Sequence, residues 1–161
     1  MLGTSRRPGA AVLVPVLLIL AACSPSASST ASEPEGSGAA GGTTVSVTLQ
    51  EWAVVPDAET APAGEITFAV TNEGPDDVHE FVIVQTDLAP GDLPTDDTGA
   101  VDESGEGIEV IDEIEDVAVG DTQEVTVDLE AGNYVLLCNI YTADEDEAHY
   151  SEGMRIAFVV E

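Results

Sequence analysis

The stretch "CNIYTADEDEAHYSEGM", residues 138–154, places a thiol, an imidazole and a thioether in order along the chain, although the whole protein holds only two Cys, two His and two Met. These are the soft side chains that bind transition metals. A thiolate couples strongly to copper, a neutral imidazole binds either oxidation state, and a distant thioether adjusts the balance between them without gripping the ion. Two imidazoles, one thiolate and one weak thioether make a copper electron-transfer site. Copper(II) and copper(I) prefer different geometries, so a site held between the two leaves little to rearrange when an electron moves. Cys138, His149 and Met154 supply three of these groups, and His79 is the remaining histidine. It stands after the turn "NEGPDD" and at the start of the apolar run "EFVIVQT".

The N-terminus bears on this count. Arg6 and Arg7 precede the apolar "AAVLVPVLLIL", and Ala21-Ala22 lead into Cys23. This reads as an export signal over residues 1–22. The segment is short and interrupted by Pro15, which argues against a membrane-spanning helix. Leu20-Ala21-Ala22-Cys23 resembles a bacterial lipobox, in which Cys23 becomes the lipidated first residue of the mature chain. Processing then leaves one free thiol, Cys138, and one thioether, Met154. An unpaired thiol outside the cytoplasm is exposed to oxidation unless something protects it, and a bound metal would. Residues 23–43 carry the lipidated Cys and then a linker of Ser, Ala, Gly and Pro, with a reach of roughly 25 Å.

The elements that must position these groups begin at residue 44. Val45, Val47 and Leu49 alternate with polar residues, as do Ile66, Phe68 and Val70, and "QEVTVDL" repeats the pattern. "EFVIVQT" is continuous enough for a strand buried on both faces. "NYVLLCN" and "MRIAFVV" complete the set, with Gly and Pro turns between. Short alternating strands with such punctuation predict an all-β, antiparallel Greek-key sandwich over residues 44–161. Residues 87–121 read as an acidic insertion, and its "IEVIDEIEDV" fits a strand or a short helix equally. Tyr134 is expected to be structural, as a tyrosine corner. Trp52, Phe68, Phe81 and Phe158 are expected in the core. Tyr141 and Tyr150 either shield the metal or pack at the surface.

Three stretches carry a family resemblance. "VTNEGPDDVHEFVI", "LEAGNYVLLCNIY" and "HYSEGM" together resemble the cupredoxins, the plastocyanin and azurin family, over about residues 44–161. The first resembles the turn leading to the family's N-terminal His ligand. The second resembles the strand that delivers its thiolate. The third matches a common ligand-loop spacing. The resemblance implies His79, Cys138 and His149 as equatorial ligands of one copper ion and Met154 as axial ligand. It also implies that His149 is the ligand nearest solvent. The chain departs from the compact members in its long Cys138-to-His149 loop, which contains Asp144-Glu145-Asp146-Glu147. Glu80 also follows His79 where plastocyanin and azurin have Asn; its backbone N–H can still bond the Cys138 sulfur.

Charge bounds the partners. Against 32 acids stand 3 bases, for a formal net charge of −29. Nucleic-acid binding through phosphates is excluded, and the charge argues against electrostatic adhesion to anionic lipid. The acid runs lack the order of ligands and glycine that a calcium loop needs. The charge either steers a basic redox partner, such as a cytochrome or a membrane oxidase or reductase, or reflects habitat and solubility. The leading expectation is a non-enzymatic electron carrier, held by lipid on Cys23 at the outer face of a bacterial cell membrane. The alternatives are a copper-delivery protein using the same ligands and a metal-free module of the same fold. Two histidines cannot build the His-rich trinuclear centre of a multicopper oxidase.

Overall fold

The computed structural model describes residues 42–161. The export signal, Cys23 and the linker lie outside the described residues. The first sheet has the order β2-β1-β4-β7, formed by β1 (Thr43–Gln50), β2 (Ala53–Pro56), β4 (Gly64–Gly74) and β7 (Thr122–Leu129). The second has the order β3-β11-β8-β5-β6, formed by β3 (Thr60–Ala61), β5 (His79–Thr86), β6 (Ile108–Val117), β8 (Gly132–Leu137) and β11 (Arg155–Val160). A two-stranded ribbon, β9 (Tyr141–Thr142) with β10 (Glu147–Ala148), and a single helical turn, α1 (His149–Glu152), lie between β8 and β11.

The predicted sandwich is present, but its sheets are mixed rather than wholly antiparallel. β1 runs parallel to β4, and β3 parallel to β11. The reason is a crossing between layers. After the β1–β2 hairpin the chain passes to the edge of the second sheet as β3, then returns to the first beside β1. A sandwich thus pairs parallel neighbours without the helical crossover that a single open sheet requires.

Alternation decides which residues face inward. Val45, Val47 and Leu49 of β1, Ile66, Phe68 and Val70 of β4, and Val127 and Leu129 of β7 meet Phe81, Ile83, Tyr134, Leu136, Phe158 and Val160 from the second sheet. Phe68 anchors this layer, with ring centroids 5.4 Å from Phe81 and 5.5 Å from Phe158. On the solvent face of the first sheet, Thr67 pairs with Thr126 and Thr71 with Thr122, each through hydroxyls 2.8 Å apart.

β5 and β8 are buried on both faces. Their outward residues Val82, Val84, Val135 and Leu137 join Leu93, Val101 and Tyr150 in a second apolar cluster. The acidic insertion therefore covers the outer face of the sheet with residues 87–107. The segment "IEVIDEIEDV" resolves to strand β6, whose mostly exposed acids make this long edge a poor template for further pairing. Tyr134 is a tyrosine corner: its hydroxyl donates to the Glu130 carbonyl at 2.9 Å.

Candidate metal centre

His79, Cys138 and His149 come together at one end of the sandwich, each on a segment with its own local anchor. His79 opens β5 and is fully buried. Asn72, also fully buried, organises the turn before it. The Asn72 side-chain amide donates to the carbonyls of Asp77 at 2.7 Å and Val117 at 2.8 Å, and its oxygen accepts the Gly74 N–H at 2.7 Å. Gly74 has φ +60°, the left-handed conformation that a glycine adopts without strain.

Cys138 directly follows β8. The β5–β8 register pairs Val82 with Leu137, which brings Cys138 to the His79 end of β5. The Glu80 N–H donates to the Cys138 Sγ at 3.4 Å, the bond expected from sequence. The Glu80 side chain adds a lock that its replacement of Asn did not suggest: its Oε1 accepts the Asn139 N–H at 2.8 Å. Burial pushes the Glu80 carboxyl up to about 7, against the lowering effect of that N–H. The Asn139 side chain in turn donates to the Val101 carbonyl at 3.0 Å and to Glu103 at 3.1 Å, so the insertion pins the segment that carries the thiol.

His149 begins α1, and its N–H donates to the Ile140 carbonyl at 2.9 Å. The long Cys138-to-His149 loop is absorbed by the β9–β10 ribbon, whose acidic tip at residues 144–146 is exposed and carries no ligand. Tyr141 donates to Asp146 at 2.7 Å across that tip. Tyr150 packs the other way, into the outer cluster. Its hydroxyl donates to the Pro90 carbonyl at 2.7 Å, and the Arg155 guanidinium lies 4.7 Å above its ring. Met154 is fully buried in the same inner cluster as Cys138, and its carbonyl accepts the Cys138 N–H at 3.0 Å.

The donor atoms converge. The two Nδ1 atoms lie 3.1 Å apart, and the Cys138 Sγ lies 3.4 Å from that of His149 and 3.9 Å from that of His79. Bonds of about 2.0–2.3 Å from nitrogen and sulfur to one small cation place such atoms about 3–4 Å apart. Two imidazole nitrogens and a thiol sulfur meeting in a buried site are a donor set that can hold one positive ion among them. Burial pushes the Cys138 thiol up to about 12 and lowers both imidazoles. Without a cation the centre holds neutral groups; a metal ion draws out the thiolate. The residues present therefore fit a soft metal.

His149 is 1% exposed against 0% for His79, Cys138 and Met154, so all four side chains are sealed from solvent. One finding departs from expectation. Trp52 is only partly buried and lies at this end, its ring edge-on to the His149 ring at 5.0 Å. The turn after β1 reaches over the centre, and periodicity carries no signal for where a turn residue lands. The same turn brings in Glu51, whose Oε1 accepts the N–H groups of Asp76 at 3.1 Å and Asp77 at 2.8 Å. Burial works to raise the Glu51 carboxyl, but these bonds outweigh it and hold it below the ordinary range. Half-buried Asp77 and Glu147 also approach His149, with ligand-capable atoms all within 4.8 Å.

No known protein family's sequence profile matches the chain, and no curated protein does. Solved structures do match. The chain is similar to the dithionite-reduced auracyanin of Roseiflexus castenholzii, at 24% identity over 75% of this chain and 99% of that one, with a TM-score of 0.53. Auracyanin A of Chloroflexus aurantiacus, described as a "blue" copper protein, is 22% identical over 75% of this chain and 100% of its own, with a TM-score of 0.51. An azurin of Methylomonas sp. strain J is 17% identical over 74% and 98%, at 0.50. The fold is that of the cupredoxins. At these identities the likeness concerns the fold, and the site stands on its own geometry.

Proposed function

We propose that this protein is a mononuclear copper electron carrier of the blue-copper type, in which His79, Cys138 and His149 would hold the ion and Met154 would add a weak fourth donor. The observation that carries the reading is the convergence of two imidazole Nδ1 atoms and one thiol sulfur in a buried centre. Copper bound there supplies one-electron redox chemistry. The chain's part is to hold the donors still: Asn72 fixes the approach to His79, Glu80 ties Cys138 and Asn139 to β5, and the Glu80 N–H favours sulfur as thiolate. Burial of both histidines favours a carrier over a delivery protein, since handing metal to a partner needs ligands within the partner's reach. The role proposed is not enzymatic.

Copper(II) loading of the full-length protein should give one ion per chain and an intense visible thiolate-to-copper band, and Cys138→Ala should abolish the band. A colourless loaded protein with reduced Cys138 refutes the reading.

We further propose that lipid on Cys23 tethers the domain to the outer face of the membrane, on the strength of the Leu20-Ala21-Ala22-Cys23 junction and the polar linker. Two acyl chains make such attachment stable, and a tether raises the effective concentration of membrane-bound redox partners. In a fractionated bacterial host, wild type should follow the membranes with a lipid mass on its N-terminal peptide. Cys23→Ser should lose that mass. A soluble wild type with unmodified Cys23 refutes the anchor and leaves the copper centre untouched.

A further inference from the structure

Three buried side-chain atoms at this end have no hydrogen-bond partner among the described residues, His79 Nε2, His149 Nε2 and Glu51 Oε2, and the first and last of them belong to neighbouring groups. The other carboxylate oxygen, Glu51 Oε1, lies 3.7 Å from His79 Nε2, and the two side chains are 11% and 0% exposed. This is beyond a formed hydrogen bond, and a shift of well under 1 Å closes it. The carboxylate does not depend on His79 for its place, because the N–H groups of Asp76 and Asp77 already hold it. It is a fixed negative charge set against the far side of a buried imidazole whose Nδ1 faces Cys138 and His149.

A neutral imidazole carries its proton on one nitrogen, and the partner of the other nitrogen decides which. With the proton on Nδ1, the His79 Nε2 lone pair would face the carboxylate, and an N–H would point among the donor atoms. With the proton on Nε2, the N–H faces Glu51 and the Nδ1 lone pair faces the centre. We propose that Glu51 is a positioning residue: its carboxylate selects the Nε2–H tautomer of His79 and so presents Nδ1 as a ligand before any metal arrives. A second consequence rests on the copper reading above. The same charge stabilises the more positive, oxidised centre and lowers its reduction potential.

The test uses the full-length protein in detergent, stripped of metal, at mildly alkaline pH. Two-bond proton–nitrogen correlation of the imidazoles reads the tautomer directly, and with two histidines in the chain one substitution assigns both. Wild-type His79 should be a single Nε2–H tautomer. Glu51→Leu should give a mixture of both forms. Glu51→Gln should restore the single form, because its amide oxygen can accept the same N–H. After copper loading, Glu51→Gln should shift the potential upward, since the charge is gone while the geometry is kept. A wild-type His79 protonated on Nδ1 overturns the proposal without any variant. A folded Glu51→Leu that keeps a single Nε2–H tautomer overturns the positioning role, and an unchanged potential in Glu51→Gln overturns the electrostatic one. Should copper fail to bind at all, the carrier reading fails, while the metal-free measurement still decides the tautomer.

Discussion

β5 and β8 run the length of the second sheet, and their two ends treat polar groups differently. Around Thr86 and Gly132 lies a cleft of about 460 Å³, lined by polar residues that include Gln85, Asp87, Glu109 and Asn133. Its polar groups are paired or wet. The Thr86 hydroxyl donates to the Gly107 carbonyl at 2.8 Å, and the Asn133 amide donates to Asp87 at 3.0 Å. Around His79 and Cys138 the chain is closed, yet the side-chain nitrogen or oxygen atoms left buried without a partner among the described residues, on Glu51, His79 and His149, all sit there. A folded chain normally pairs its buried polar atoms, so a cluster of exceptions sets this end apart; here they are the outer nitrogens of the two histidines and the carboxylate beside one of them, behind the Nδ1 and Sγ atoms that face one another. Open space is the weaker sign: the cleft offers room, but none of its side-chain polar atoms is buried without a partner.

The strongest way to break this comparison is to remove what both ends share. Phe68 sits between Phe81 and Phe158 at the middle of the inner layer. Phe68→Ala should destabilise the metal-free protein by about 3–5 kcal/mol, the usual cost of deleting a fully buried aromatic ring. Denaturant unfolding followed by Trp52 fluorescence checks it. A loss below about 1 kcal/mol would mean that the two ends are stabilised separately rather than hung from one core.

That core was largely legible in the sequence, because alternation is a local signal and β1, β4 and β7 each bury one face. "EFVIVQT" was legible as buried on both sides, but what covers its outer face was not. Leu93, Val101 and Tyr150 come from segments whose composition suggests loop, and only tertiary packing puts them on Val82 and Val84. Parallel pairing of β1 with β4 was hidden for a related reason: period two says which face is inward and nothing about the neighbour's direction. At the centre, residue type identified His79, Cys138 and His149, because so few soft side chains exist in the chain. Glu51 and Trp52 left no trace in the sequence, since their contact with the histidines arises from where one short turn lands.

A finer test confines the change to the ligand end. Met154 is fully buried, and leucine has nearly its volume, so Met154→Leu should cost less than about 1.5 kcal/mol. The copper-loaded protein should keep its colour, and its reduction potential should rise, because a hydrocarbon removes the weak donation that favours copper(II). Voltammetry beside the visible spectrum reads both. An unchanged potential would leave Met154 as core packing and reduce the proposed ligand set to His79, Cys138 and His149.

The smallest effect is expected at the other end, where it serves as the control. Asn133 is exposed, and its amide donates to Asp87 at 3.0 Å beside the cleft. An exposed side-chain bond of this kind replaces one that water makes nearly as well, so Asn133→Ala should shift stability by no more than about 0.5 kcal/mol. The β8–β11 register holds Asn133 opposite Val159 through backbone bonds that the substitution leaves in place. Cys138, five residues further along the same strand direction, is fixed independently by the Glu80 and Met154 bonds. The visible band and the reduction potential of the loaded protein should therefore match wild type. A measurable change in either would mean that strain travels along β8 from cleft to centre, and the far end would then be part of the site rather than its contrast.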